Sequence, residues 1–180
     1  MKILALAGSN SENSINKALV TYVSTLFKGH NINYLDLNDF EMPIYSIDRE
    51  KRDGFPSEAY DFLNEIKKND LVLLSLAEHN GAYTVAFKNV LDWCSRVPNE
   101  KVFQGKPMLL MSTSPGGRGG KSVLEMGEVR MPKMGANVIS SKSFPSFNEN
   151  FEVGKGIVNE KLDNEFRELV AHVLQSIEED

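Results

Sequence analysis

The chain of 180 residues contains one cysteine. No internal disulfide can form, so a reducing compartment is expected, by default the cytoplasm. Long apolar runs are also missing. The first one, in "MKILALAGSNSENS", breaks into a polar loop after Ala7. It is too short for a secretory leader's apolar core and far too short to span a bilayer. There is no basic excess either: 20 Lys and Arg face 25 Asp and Glu, for a formal net charge of −5. Nucleic acid and anionic membrane both call for a dense basic face, so neither is expected as a partner. No internal repeat, linker or low-complexity tract divides the sequence. One domain over 1–180 with a sizeable core is the expectation.

What is present alternates. The runs "ILALA" at 3–7, "LVLLSL" at 71–76, "MLLMST" at 108–113 and "NVISS" at 137–141 are almost continuously apolar. Strands read this way when helices cover both faces of their sheet. "INYLDL" at 32–37 alternates apolar and polar and suits a strand nearer the edge. Helical spacing appears between them. Ile15, Ala18, Leu19, Tyr22, Val23, Leu26 and Phe27 form one stripe, with Ser14 placed as N-cap. Segments 84–97 and 156–177 repeat the pattern; 57–68 and 121–135 are weaker, the last interrupted by Pro132. Leu162, Phe166, Leu169, Val173 and Ile177 read as a stripe covering the sheet, and Trp93 and Cys94 read as core. The stretch 38–56 reads as a long loop. Together these predict a doubly wound α/β domain with five parallel strands.

Ligands in such folds sit beyond the carboxyl ends of the strands. Three loops leave there. The first, "GSNSENSIN" at 8–16, crowds Ser9, Asn10, Ser11, Asn13, Ser14 and Asn16 against a helix N-terminus. The free N–H groups and positive dipole end of that helix attract an anion, and the hydroxyls add neutral donors. It lacks GxGxxG, so it is no dinucleotide grip, and it lacks Gly-Lys-Ser/Thr, so it is no nucleotide P-loop. A terminal phosphate held by hydroxyls and amides remains; a capped turn alone would need one hydroxyl rather than three. The second loop follows the third strand as "AEHNG" at 77–81, without the aspartate of a magnesium site; its Asn-Gly favours a tight turn. The third, "SPGGRGGKS" at 114–122, resembles a P-loop, but Pro115 stands where glycine is required and the loop follows the fourth strand. Its glycines suit a backbone passing close to a flat ligand or turning with positive φ. Arg118 either faces a second, anionic ligand or lies solvated.

Taken together the three loops resemble those of the NAD(P)H-dependent FMN reductase family, flavodoxin-like quinone, azo-dye and chromate reductases. Gly8, Ser9, Ser14 and Asn16 match its first loop. Glu78, Asn80, Gly81, Lys88, Asn89, Asp92 and Trp93 match its second. Ser112, Ser114, Pro115, Gly116, Gly117, Gly119 and Gly120 match its third. The resemblance implies strand order 2-1-3-4-5. It implies FMN with its phosphate on Ser9, Ser11, Ser14, Ile15 and Asn16. The ring would lie between Ala77, Glu78, His79, Asn80 and Gly81 on one side and Thr113, Ser114, Gly116, Gly117 and Arg118 on the other. It further implies NAD(P)H as co-substrate, a small-molecule electron acceptor, and a homodimer or homotetramer with the site at the subunit interface. The flavin carries the chemistry, so no catalytic side chain and no metal are expected. Three residues depart from the family pattern: Ser11 stands for the usual arginine, Ala77 for proline and His79 for tyrosine. The alternative is a flavodoxin-like electron carrier that ignores nicotinamides.

Overall fold

In the computed structural model, which describes residues 1–179, the apolar runs become neighbouring strands. β1 (Lys2–Ala7) pairs in parallel with β2 (Asn31–Leu35) and β3 (Leu71–His79); β5 (Pro107–Thr113) joins β3 to β6 (Asn137–Phe144), again in parallel. The expected order 2-1-3-4-5 describes these five strands. The sheet departs from it by one addition: the two-residue β4 (Ala82–Tyr83) folds back antiparallel on β3. Asn80 and Gly81 cause this. Both adopt positive φ, 53° and 77°, the backbone of a two-residue hairpin turn that Asn-Gly favours.

The continuous apolar strands feed two cores because alternate side chains point to opposite faces. Leu4, Leu6, Val72, Leu74, Met108 and Leu110 join one core. Ile3, Ala5, Leu71, Leu73, Leu109 and Met111 join the other. The first core is closed by α3 (Ser57–Lys67), α4 (Val85–Cys94) and α5 (Lys121–Lys133), the second by α1 (Ile15–Ser24) and α7 (Glu160–Glu178). In α7, Phe166 and Val173 are buried and Leu162, Leu169 and Ile177 pack against the same core, as the stripe predicts. Trp93 and Cys94 are fully buried. Burial pushes the Cys94 thiol up to about 12, so no thiolate is available there near neutral pH.

Two expectations need correction. Segment 38–56 is not wholly loop: a 3₁₀ turn spans Leu37–Phe40 and α2 (Ile47–Asp53) follows, capped by Ser46, which accepts the Arg49 N–H. No residue of α2 is buried, so it has no apolar stripe by which a sequence would betray it. Pro132 does not break its helix either; it sits in the last turn of α5, where one lost backbone bond is tolerated. Gly127 brings α5 onto the sheet, since a Cβ there would lie 2.7 Å from Leu76 and 2.9 Å from Leu110. A short α6 (Phe147–Asn150) and the hairpin of β7 (Phe151–Glu152) and β8 (Gly156–Ile157) follow β6. Among the described residues no helix is long and apolar enough to cross a membrane.

Candidate functional site

Buried polar side chains gather at the carboxyl ends of the central strands: Asn16, Ser75, Thr84, Ser112 and Thr113. Burying such groups is costly unless each is hydrogen-bonded, and here each bond ties one loop to another. Asn16 Oδ1 accepts from Ser75 Oγ at 2.8 Å and from the Thr113 N–H at 3.0 Å, while its Nδ2 donates to the Thr113 carbonyl at 3.2 Å. Thr84 caps α4 by accepting the Phe87 N–H, and its hydroxyl donates to the Gly8 carbonyl at 2.8 Å. Ser112 Oγ donates to the Gly119 carbonyl and Thr113 Oγ1 to the Phe144 carbonyl, both at 2.8 Å. The three loops are thereby fixed to one frame.

Within that frame the first loop ends at Ser14, which caps α1 by accepting the Lys17 N–H at 3.2 Å. Helical geometry leaves the N–H groups of Ile15 and Asn16 without intrahelical partners, pointing out of the helix start. Ser9 Oγ accepts the Ser11 N–H at 3.2 Å and turns the loop over that end. The second loop is the β3–β4 hairpin, with Glu78 opposite Tyr83 and His79 opposite Ala82. Glu78 Oε2 accepts the Val123 N–H of α5 at 2.9 Å. The third loop is held by the β6 exit: the Ser146 N–H donates to the Gly116 carbonyl and the Phe147 N–H to the Ser114 carbonyl.

The loops enclose a cleft of about 220 Å³. Its walls are Ser9, Ser11, Asn13, Ser14, Ile15 and Asn16, then Ala77, Glu78 and His79, then Thr113, Ser114 and Pro115. Most residues singled out in the sequence are therefore brought together. Asn80, Gly81, Gly116, Gly117 and Arg118 are not part of this wall. Asn80, Gly116, Gly117 and Arg118 are exposed and Gly81 is half-buried, farther out on the same two loops. Arg118 lies along the start of α5, donating to Ser122 Oγ at 3.2 Å. The Asn16 side chain is consumed by its tie to Ser75 and Thr113, so only its backbone N–H is offered to a ligand.

The glycines of the third loop divide into two kinds. Gly119 and Gly120 have φ of 61° and 72°, and a Cβ on Gly119 would lie 2.7 Å from the Phe144 carbonyl group. Packing and backbone demand those two. A Cβ on Gly116 or Gly117 would meet no atom closer than 4.0 Å, and both have ordinary φ, so this side of each faces solvent or ligand. Sequence reasoning left out Asn13 and Pro115 as wall residues, and Ser75 as a frame residue. A serine inside "LVLLSL" was the available signal for the last.

A larger cleft of about 670 Å³ lies on the other side of the first turn of α1, walled largely by apolar groups including Tyr22, Phe147, Phe151 and Val153. It shares Asn13, Ser14 and Ile15 with the loop cleft but takes no residue from the β3–β4 or β5–α5 loops.

Comparison with known proteins places this arrangement. The family model described as NADPH-dependent FMN reductase matches residues 1–149, which take in all three loops. An NADPH:quinone oxidoreductase of Arabidopsis thaliana is 30% identical over 133 residues, 72% of this chain and 66% of that protein. A 2-hydroxy-1,4-benzoquinone reductase of Burkholderia sp is 32% identical over 120 residues, 66% of this chain and 63% of that protein. The matched stretch thus spans just under two thirds of these relatives' own length. The solved structure of FerB, a flavoenzyme NAD(P)H:(acceptor) oxidoreductase from Paracoccus denitrificans, shares the fold. It superposes with a TM-score of 0.80 at 22% identity, covering 99% of this chain and 97% of FerB. With a family model running from β1 through the end of β6, the chain belongs to the NADPH-dependent FMN reductase family.

Proposed function

We propose that the chain is an FMN-dependent oxidoreductase that passes a hydride from NAD(P)H through bound FMN to a flat acceptor. The observation that carries this reading is the convergence of three sequence-distant loops on one cleft whose inner end is a hydroxyl-ringed helix N-terminus. A phosphate monoester, with about −1.5 to −2 charge near neutral pH, suits that end. Ser9, Ser11 and Ser14 offer hydroxyls, Ile15 and Asn16 offer backbone N–H groups, and the helix dipole favours the anion. The cleft, at about 220 Å³, is smaller than the roughly 300–1,000 Å³ of ordinary ligand pockets. It therefore takes the phosphate end, and the ring reaches outward between Ala77–Gly81 and Thr113–Arg118. The open surface of Gly116 and Gly117 supports a flat group lying there.

When bound, the flavin supplies the hydride-accepting and hydride-donating chemistry. The chain's residues bind, orient and leave room for a second flat molecule. Backbone N–H groups of the two outer loops are suited to meet negative charge at the ring's polar edge. No side chain acts as nucleophile: Cys94, the one thiol, is sealed in the core. Ser11 offers a neutral donor where the family commonly has arginine. Charge-assisted bonds are roughly twice as strong as neutral ones, so FMN is held less tightly here. Acceptors are taken to be quinones first, because the relatives are named for them, with azo compounds and free flavin behind. The assembly is proposed as a homodimer or homotetramer and the location as cytoplasmic, since one free buried thiol asks for no oxidising compartment.

The test is spectroscopic. Protein freshly purified and then titrated with FMN should show protein-bound flavin absorption. Adding NADPH or NADH under argon should bleach it rapidly, and a quinone should restore it. Bound flavin that neither nicotinamide bleaches would favour the electron carrier. Failure of FMN to bind at any concentration would remove the reading altogether.

A further inference from the structure

The helix that follows the glycine loop starts without a cap of its own. Gly120 holds the N-cap position of α5 in the left-handed region, and no side chain of that segment accepts a bond there. The missing acceptor comes from a distant part of the chain. Glu78, half-buried near the end of β3, places Oε2 2.9 Å from the Val123 N–H. Val123 is the third residue of α5, whose N–H an N-cap oxygen ordinarily accepts. A carboxylate at that point also meets the positive end of the helix dipole.

This bond differs in direction from the other ties of the third loop. Those run to β5 and to the β6 exit, through Ser112, Thr113, Ser146 and Phe147. Among the described side-chain bonds, the one from Glu78 crosses from the β3–β4 hairpin to the start of α5. The hairpin end is itself held in register by the pairing of Glu78 with Tyr83. A rigid strut therefore spans the two loops between which the ring is placed under the proposed function.

We infer that Glu78 is a positioning residue: it holds the glycine loop and the start of α5 at a set distance from the β3–β4 hairpin, and so fixes the width of the slot for the flavin ring. The inference rests on the proposed function for what fills the slot.

Reach and charge are separable by substitution. Glu78→Asp keeps the charge but draws the carboxylate back by about 1.5 Å, one carbon–carbon bond. Glu78→Gln keeps an acceptor oxygen at full reach without the charge, and Glu78→Ala removes both. Amide hydrogen exchange on flavin-free protein reads the strut, and FMN titration reads its consequence. Glu78→Asp and Glu78→Ala should speed exchange across 119–124 by about ten- to a hundredfold, the size expected of one bond to a charged group, with β1 and β5 unchanged. The same two variants should weaken FMN binding in parallel. Glu78→Gln, which keeps the reach and loses the charge, should fall between wild type and Glu78→Ala in both readouts. An Asp variant indistinguishable from wild type would overturn the inference. So would FMN weakened with exchange at 119–124 unchanged, which would make Glu78 a direct flavin contact, or exchange accelerated along the whole chain. If Glu78→Ala does not fold, the Asp and Gln variants carry the comparison. If wild type binds no FMN, the proposed function fails, and the exchange arm still decides the strut.

Discussion

Ser14 and Asn16 stand two residues apart at the start of α1 and spend their side chains differently. Asn16 is 3% exposed and bonded on both amide atoms; its sequence neighbours announced a ligand, yet its side chain is a strut. Ser14 caps the helix and also faces the cleft. Ser14→Ala should therefore lose twice: about 1 kcal/mol of stability from the cap, and part of the affinity for FMN. Thermal unfolding with and without FMN separates the two. The mutant's midpoint should lie lower without ligand and rise less on adding it. An equal rise in both proteins would mean that Ser14 does not touch the phosphate. Residue types alone could not distinguish these roles, because an amide that binds a ligand and one that braces two strands look the same in sequence.

At the scale of elements, the glycine loop shows what a local motif hides. Four glycines in "PGGRGG" look equivalent, but the turn into α5 makes Gly119 and Gly120 structural and leaves Gly116 and Gly117 open. Gly119→Ala should cost about 2 to 4 kcal/mol, from left-handed strain together with a methyl driven against the Phe144 backbone. Gly116→Ala should leave stability within about 0.5 kcal/mol of wild type, as a compatible surface change does, and should weaken FMN binding if a flat group lies over it. Chemical denaturation and FMN titration of both variants check this; an unstable Gly116 variant would contradict the open surface. The hairpin made by Asn80 and Gly81 was legible as a turn, because the dipeptide selects its own backbone. The strand it creates was not, since two residues carry too little pattern. The exposed helix α2 was missed for the same reason: without a buried face it has no periodicity.

For the whole molecule, exposed apolar side chains beside the first loop bear on assembly. Ile44 and Val85 are each 71% exposed. They flank a depression of about 260 Å³ that also takes in Phe40, Met42 and Asn10 of the first loop. An apolar rim beside the first loop suits contact with a second copy of the chain. Val85→Asp should shift the sedimentation coefficient toward that of a monomer, while leaving the circular dichroism of the fold intact. Unchanged sedimentation would place the interface elsewhere or leave the protein monomeric.

The order of apolar runs and helical stripes was sufficient to determine the doubly wound sheet, because strands buried on both faces and helices buried on one leave periodic signatures along the chain. The three loops were legible for a related reason: their clustered hydroxyls and glycines interrupt the apolar pattern where each strand ends. Only the tertiary structure decided which of those residues face the cleft and which brace it. Asn16 meets Ser75 and Thr113 across separations of 59 and 97 residues, and Glu78 finds its partner 45 residues on. Such bonds follow from how β1, β3 and β5 lie side by side, and no local pattern encodes the register that brings them together.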